Sequence, residues 1–161
     1  MTGYRAGYTF GAASERELAT VDPRLGSVAR AVIVLADHKI LQGARTIAQQ
    51  RANVASGVSR TMQSKHLGRP AMALDFAPFI ARFGVIVGSR AQFVDIAVKE
   101  GKTVGEIEAA VREQFTFIGG LYVATGAALG VPIVWGGDWD SDGDVLDNRF
   151  DDLGHVECAT T

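Results

Sequence analysis

Apolar residues recur along this chain with two periods, and the switches between them outline the elements. Behind Asp22-Pro23, an N-cap followed by a proline suited to the first helical turn, Leu25, Val28, Val32 and Leu35 share one face of a predicted helix. Ser14 and Glu17 have capping-box spacing and predict an earlier helix starting there. Lys39 to Gln42 reads as a short strand closed by Gly43, and Arg45 to Ala55 as a helix stopped by Ser56-Gly57. Ala71 to Phe76 predicts a strand bounded by Pro70 and Pro78. Residues 84–101 are ambiguous, with strand character in FGVIVG and helix character in AQFVDIAVKEG.

Thr103 and Glu106 form a second capping-box pair, opening a helical pattern through Ile107, Val111, Ile118 and Tyr122 to Leu129. Gly119-Gly120 weakens that helix by about 1 kcal/mol per Gly relative to Ala, so a kink or close packing is expected there. Val131 to Trp135 and His155 to Cys158 are strands, separated by the acidic loop GGDWDSDGDVLDNRFDD. Helices come first, then strands interrupted by one helical insert, without repeat or linker. That order predicts a single α+β domain over residues 1–161, with no second domain.

Composition narrows the classes. A chain of 161 residues can bury a sizeable core, and 47% hydrophobic against 21% charged residues is globular composition. Lys and Arg number 16 against 18 Asp and Glu, a balance that argues against a nucleic-acid binder. Cys158 is the one cysteine, which excludes an intrachain disulfide and a cysteine-rich zinc site. Strand alternation puts Cys158 on the face opposite His155 and Glu157, as a small core residue. The first twenty residues lack a signal-type apolar run, and no stretch reaches the roughly 18 apolar residues of a membrane span. The expectation is a protein made soluble in the cytoplasm; if it works outside that compartment, some other agent must let it out.

Candidate chemistry concentrates in SKHLGRPAMALDFAP, Ser64 to Pro78, and in the acidic C-terminal third. By themselves, His66 reads equally as a solvated turn residue and Asp75 as a strand-end carboxylate. With His155 they would make the three-ligand set of a catalytic zinc site, the fourth position being left to water. Spacing alone does not decide this, because the three would have to converge from separate strands or loops. Asp152, three residues before His155 across a turn that Gly154 permits, suits a base close to the metal but not ligating it. His38, in Asp37-His38-Lys39, reads as a surface turn residue.

Asp138, Asp140, Asp142 and Gly143 occupy positions one, three, five and six of a calcium-loop pattern, with Val145 at the apolar eighth. Arg149 stands where the bidentate Glu belongs, and Asp147 offers a substitute. Either this is a solvated acidic loop, or a cation relieves the repulsion among Asp138, Asp140, Asp142, Asp144 and Asp147. Trp135 and Trp139 flank the loop as groove or core residues.

SKHLGRPAMALDFAP resembles the S-x-H…D motif of the zinc peptidases that cut peptidoglycan stem peptides. These include D-alanyl-D-alanine carboxypeptidases, vancomycin-resistance dipeptidases and phage L-alanyl-D-glutamate endopeptidases. WGGDW and DLGHVE look like that family's closing signature, and QGARTIAQQRANVASGVS like its Arg-containing helix. The similarity runs from FGAASERELATVDP to HVE and is closest to small single-domain phage endolysins. It departs from the family in having nine residues from His to Asp where seven is commonest, and Gly154 where many relatives have Pro.

The resemblance implies a small antiparallel sheet packed with helices, with a zinc site at the sheet, the LAS/hedgehog-like fold. It implies zinc held by His66, Asp75 and His155, Asp152 as general base and acid, and Arg45 steadying the polarised carbonyl. Some phage relatives also depend on calcium, which favours an ion in the acidic loop. The implied activity is hydrolysis of the L-Ala–D-Glu amide by a phage-type endolysin. D-Ala-D-Ala carboxypeptidase or dipeptidase activity, and a non-catalytic zinc-containing binding module, are the alternatives. The expected partner is the peptidoglycan stem peptide, met by a monomer without nucleic acid or stable membrane association, after release from the host bacterial cytoplasm.

Overall fold

Capping and packing place each element. Asp22 caps α2 (Pro23–Leu35), its carboxylate accepting from the Arg24 backbone N–H at 2.9 Å. Leu25, Val28 and Val32 are fully buried, whereas Leu35 in the last turn is exposed, so the apolar stripe ends a turn earlier than its spacing suggests. The first helix, α1 (Ala12–Leu18), starts ahead of Ser14, with Gly11 as N-cap. Ser14 is not a cap. It is buried within α1, and its hydroxyl accepts from the Ile40 N–H at 3.1 Å, docking the helix on the sheet. The computed structural model describes residues 7–159.

The sheet runs β1 (His38–Gln42), β2 (Ala73–Ile80), β5 (His155–Cys158), β4 (Ile133–Trp135) across its width, every pairing antiparallel. A short β3 (Gly84–Val85) pairs with the far end of β2. Strand β2 continues through Pro78, beyond its expected boundary. Pro78 has no N–H to give, but its carbonyl accepts from Ile86 at 2.8 Å, and the next donor, Phe79 N–H, reaches Asp37 O at 3.1 Å. The ambiguous stretch 84–101 resolves into β3 and α4 (Arg90–Glu100), which ends at Gly101 with φ 65°.

Helix α5 (Val104–Ala128) starts at the Thr103/Glu106 capping box and runs 25 residues without a break at Gly119-Gly120. The two glycines differ. A Cβ on Gly119 would collide with the Trp135 indole, while one on Gly120 would meet nothing within 4 Å. Close packing, not a kink, is what Gly119 serves. Helices α2 and α5 enclose the core with the sheet, around Leu25, Leu74, Phe76, Ile118, Tyr122 and Val156. Trp135 and Cys158 belong to this core too. Among the described residues no helix is long and apolar enough to cross a membrane.

His38 is not a surface residue. It opens β1 pointing inward and is fully buried. Its Nδ1–H donates to the Ala36 carbonyl at 2.8 Å, which leaves Nε2 to accept from the Tyr122 hydroxyl, also at 2.8 Å. Burial lowers its pKa from 6.5 to about 4, so the imidazole is neutral at physiological pH. Polar neighbours in sequence hid this, because strand alternation sends Lys39 the opposite way.

Candidate metal centre and the grooves beside it

The S-x-H motif forms a 3-10 turn, Lys65–Leu67, in which the Ser64 hydroxyl accepts from the His66 backbone N–H at 3.3 Å. That turn delivers His66 to the open end of the β2–β5 ladder, where Asp75 and His155 are paired in register. Directly opposed residues project from one face of a sheet, so their side chains meet. His66 Nε2 lies 3.1 Å from Asp75 Oδ1 and 3.3 Å from His155 Nδ1, and the last two atoms are 3.0 Å apart. Donors bound about 2.0–2.1 Å from a tetrahedral zinc stand about 3.3 Å apart, so this triangle has the right size for one ion. The three residues sequence reading joined are brought together, and they form a candidate metal site.

Outer partners fix both imidazoles. His66 donates Nδ1–H to the Gly43 carbonyl at 2.6 Å, turning Nε2 toward the cluster. His155 donates Nε2–H to Glu157 Oε2 at 3.2 Å, turning Nδ1 the same way, and Glu157 Oε1 is paired with Lys65 Nζ at 2.9 Å. Hydrogen bonds of this kind set tautomer and orientation in metal sites. Burial opposes ionisation of Asp75, but hydrogen bonds from His155 and His66 outweigh it and hold the carboxyl far below the ordinary range. Burial likewise opposes charge on His155, yet Asp75 and Glu157 raise its pKa to about 9.

Known proteins resemble the chain over most of its length. Residues 6–87 match the family model described as phage L-alanyl-D-glutamate peptidase. The L-alanyl-D-glutamate peptidase of Escherichia phage T5 is 34% identical over 160 residues, which cover 94% of this chain and 98% of that protein. The chain belongs to the phage L-alanyl-D-glutamate peptidase family. The crystal structure of the Serratia marcescens L-Ala D-Glu endopeptidase ChiX is similar with a TM-score of 0.58 at 25% identity, over 93% of this chain and 89% of that one.

In this phage peptidase Arg45 does not lie on a helix, as its sequence context suggests. It precedes α3 (Ile47–Ala55), whose N-cap is Thr46, and its backbone N–H donates to the His66 carbonyl at 2.8 Å. Its guanidinium is gripped by Gln42 (Nε, 2.8 Å) and by the buried Gln50 (Nη1, 2.7 Å), and Nη2 reaches Asp75 Oδ2 at 3.4 Å. Asp152 is tied into the cluster through its backbone. Its carbonyl accepts from the His155 N–H at 2.9 Å, and its own N–H donates to Gly136 at 2.7 Å. Burial raises the Asp152 carboxyl above the ordinary range; Asp75 adds to this, while His155, His66 and Arg45 pull it back. Gly154 between them has little room for a side chain, since a Cβ would stand 2.7 Å from the Phe76 carbonyl.

Two cavities meet at the cluster. One, of 760 Å³, is lined by Arg45, Lys65, His66, Trp139 and His155; the other, of 690 Å³, by Phe76, Phe93, Arg112 and Phe115. Asp75, Asp151 and Asp152 border both. Trp139 is a groove residue, its ring 5.5 Å from that of His155 and stacked with Phe150. In the acidic loop the carboxylates of Asp138, Asp140 and Asp142 converge, while Asp144 and Asp147 lie outside that cluster. Asp138 Oδ2 accepts from Gly143 N–H at 3.1 Å, and Asp138 Oδ1 is buried without a hydrogen-bond partner among the described residues.

Sequence reasoning missed the outer partners. Glu157 was legible as sharing a face with His155, but the Gly43 carbonyl and the Gln42/Gln50 grip on Arg45 leave no mark in side-chain pattern.

Proposed function

We propose that this peptidase hydrolyses the L-Ala–D-Glu amide of peptidoglycan stem peptides with a zinc ion held by His66, Asp75 and His155, acting on the host cell wall as an endolysin after release. The observation that carries the reading is the donor triangle of 3.0–3.3 Å at the junction of two grooves. Two imidazoles, a carboxylate and an open fourth side are the ligand set of catalytic zinc. Non-haem iron takes the same set, but amide hydrolysis needs no redox change, which favours zinc. Bound there, zinc supplies Lewis-acid chemistry, lowering the pKa of a water and polarising a carbonyl.

The chain's own residues do the rest. Asp152 takes the proton from the attacking water and hands it to the departing D-Glu amine, a role suited to a carboxyl whose pKa burial has raised. Arg45, held rigid by Gln42 and Gln50, presents fixed positive charge on the side where the carbonyl oxygen becomes negative. Trp139 forms one wall of the groove beside His155.

Calcium in the acidic loop is the second part of the proposal. The buried, unpartnered Asp138 Oδ1 beside the Asp140 and Asp142 carboxylates fits an oxygen-seeking cation. The loop leads into Asp152 and His155, so an ion there would order the segment that carries both. Calorimetric titration with calcium, alongside activity of zinc-loaded protein with a calcium-selective chelator, tests this; no binding heat and unchanged activity remove calcium from the account.

The primary test is a digest of purified peptidoglycan with zinc-loaded protein, reading new termini by mass spectrometry. New D-Glu amino termini are expected. Released D-Ala would move the reaction to the carboxypeptidase branch, and no cleavage with both ions present would leave a non-catalytic binding module.

A further inference from the structure

The two cavities differ in a way that orients the substrate. Arg45, His66 and His155 line the 760 Å³ chamber and not the 690 Å³ one, whereas Asp152 borders both. On the reaction proposed above, on which this inference rests, the carbonyl oxygen sits with Arg45 and the departing amine with Asp152. The acyl half of the amide therefore fills the first chamber. The departing half, which begins at D-Glu, runs past Asp152 into the second.

That second chamber lies between β2 and the helices α4 and α5, and its volume falls within the roughly 300–1,000 Å³ of small-molecule sites. Phe76, Phe93 and Phe115 give it an apolar floor, and Arg112 of α5 brings a cation to its wall. Arg112 Nη1 donates to Asp151 Oδ2 at 2.8 Å, and among the described residues its guanidinium has no other hydrogen bond. The Arg112 side chain is 43% exposed, leaving Nη2 and Nε open to a second acceptor. Besides Asp75 and Asp152 of the cluster, two acidic groups border the chamber. Glu108 is matched by Arg90 at 3.2 Å, and Asp151 is the group that holds Arg112 in place.

A glutamyl residue has two carboxyl groups. One continues the peptide and the other stays free, so the departing half carries a carboxylate on the residue whose amine Asp152 protonates. On the protein side, Arg112 is anchored to residue 151, one step along the chain from Asp152. We infer that Arg112 is a specificity-determining residue that receives the free carboxylate of the D-glutamyl residue, whose methylenes rest on the phenylalanine floor. Planar guanidinium donors suit a carboxylate and not its amide, which places an NH2 group where an acceptor oxygen is needed. The groove thereby distinguishes stems with a free D-Glu carboxylate from those in which it is amidated.

The test compares two synthetic stem peptides, identical except for a free or an amidated D-Glu carboxylate, on zinc-loaded protein. The wild type should show a KM about tenfold lower for the acid peptide at similar kcat, the scale of one partly exposed charge-assisted contact. Arg112→Gln should raise KM for the acid peptide alone, erasing the preference, and Arg112→Lys should restore part of it. Equal losses on both peptides, or a preference that survives Arg112→Gln, overturn the inference. Calorimetric binding of both peptides to Asp152→Asn protein makes the same comparison without turnover. A binding preference that Arg112→Gln removes supports the carboxylate site even if the wild type cleaves neither peptide, an outcome that would instead sink the proposed reaction. No binding preference overturns the site.

Discussion

Asp75 and His155 stand directly opposite one another in the antiparallel β2–β5 ladder, with Asp75 Oδ1 and His155 Nδ1 3.0 Å apart. Backbone pairing therefore brings together two potential donors of the candidate metal cluster. A one-residue slip would send one of them to the other face of the sheet. Half of the site is a consequence of strand register.

The outer hydrogen bond from His155 to Glu157 should matter to metal retention. Glu157→Gln keeps the shape but removes the carboxylate, and zinc affinity is expected to fall about 10–100-fold. Competition against a chromogenic chelator measures this directly. Affinity unchanged from the wild type would show that the tautomer of His155 is set elsewhere.

Asp152 separates chemistry from binding. Asp152→Asn should retain one zinc per chain while turnover falls about 10²–10⁴-fold, the range attributed to a positioned acid–base group. Metal analysis and single-turnover cleavage of a stem peptide supply the two readouts. Full activity in the zinc-loaded variant would take the proton-transfer role away from Asp152.

His38 predicts a stability change in mild acid. Its folded pKa of about 4 lies below the ordinary 6.5, so the neutral form is the one the fold accommodates. Above pH 6.5 the contribution is fully present. As pH falls from 6.5 toward 4, the unfolded chain takes up a proton that the folded chain refuses, and roughly 3 kcal/mol is lost across that window. Urea unfolding at pH 7 and pH 4.5, on wild type and His38→Asn, isolates the effect, because the variant should lack that part of the slope. Parallel pH dependence in the two proteins would count against it.

The adjacent glycines of α5 should respond in opposite directions. Gly119→Ala forces a methyl into the Trp135 ring and should cost about 1–3 kcal/mol, as overpacking does. Gly120→Ala meets open space in a helix and should stabilise by up to about 1 kcal/mol. Thermal unfolding of both variants decides, and a pair that shift together would refute the packing account.

The sequence by itself determined what is local. Capping at Asp22 and Thr103, the strand at His155 to Cys158 and the ligand-bearing motif around His66 rest on residues a few positions apart, whose chemistry acts within one turn or one strand. It also named the three residues that meet in the candidate metal site, because a family resemblance carries candidate ligands along with motifs. Tertiary structure decided the rest. His38 is buried because a tyrosine 84 positions away completes its hydrogen bonds, and Asp75 meets a histidine 80 positions away through strand register. Arg45 is held by glutamines from β1 and α3, and Gly119 is needed because an indole from β4 lies on it. Such relationships depend on which surfaces the folded chain brings together, and the local pattern of residues carries no record of the partner.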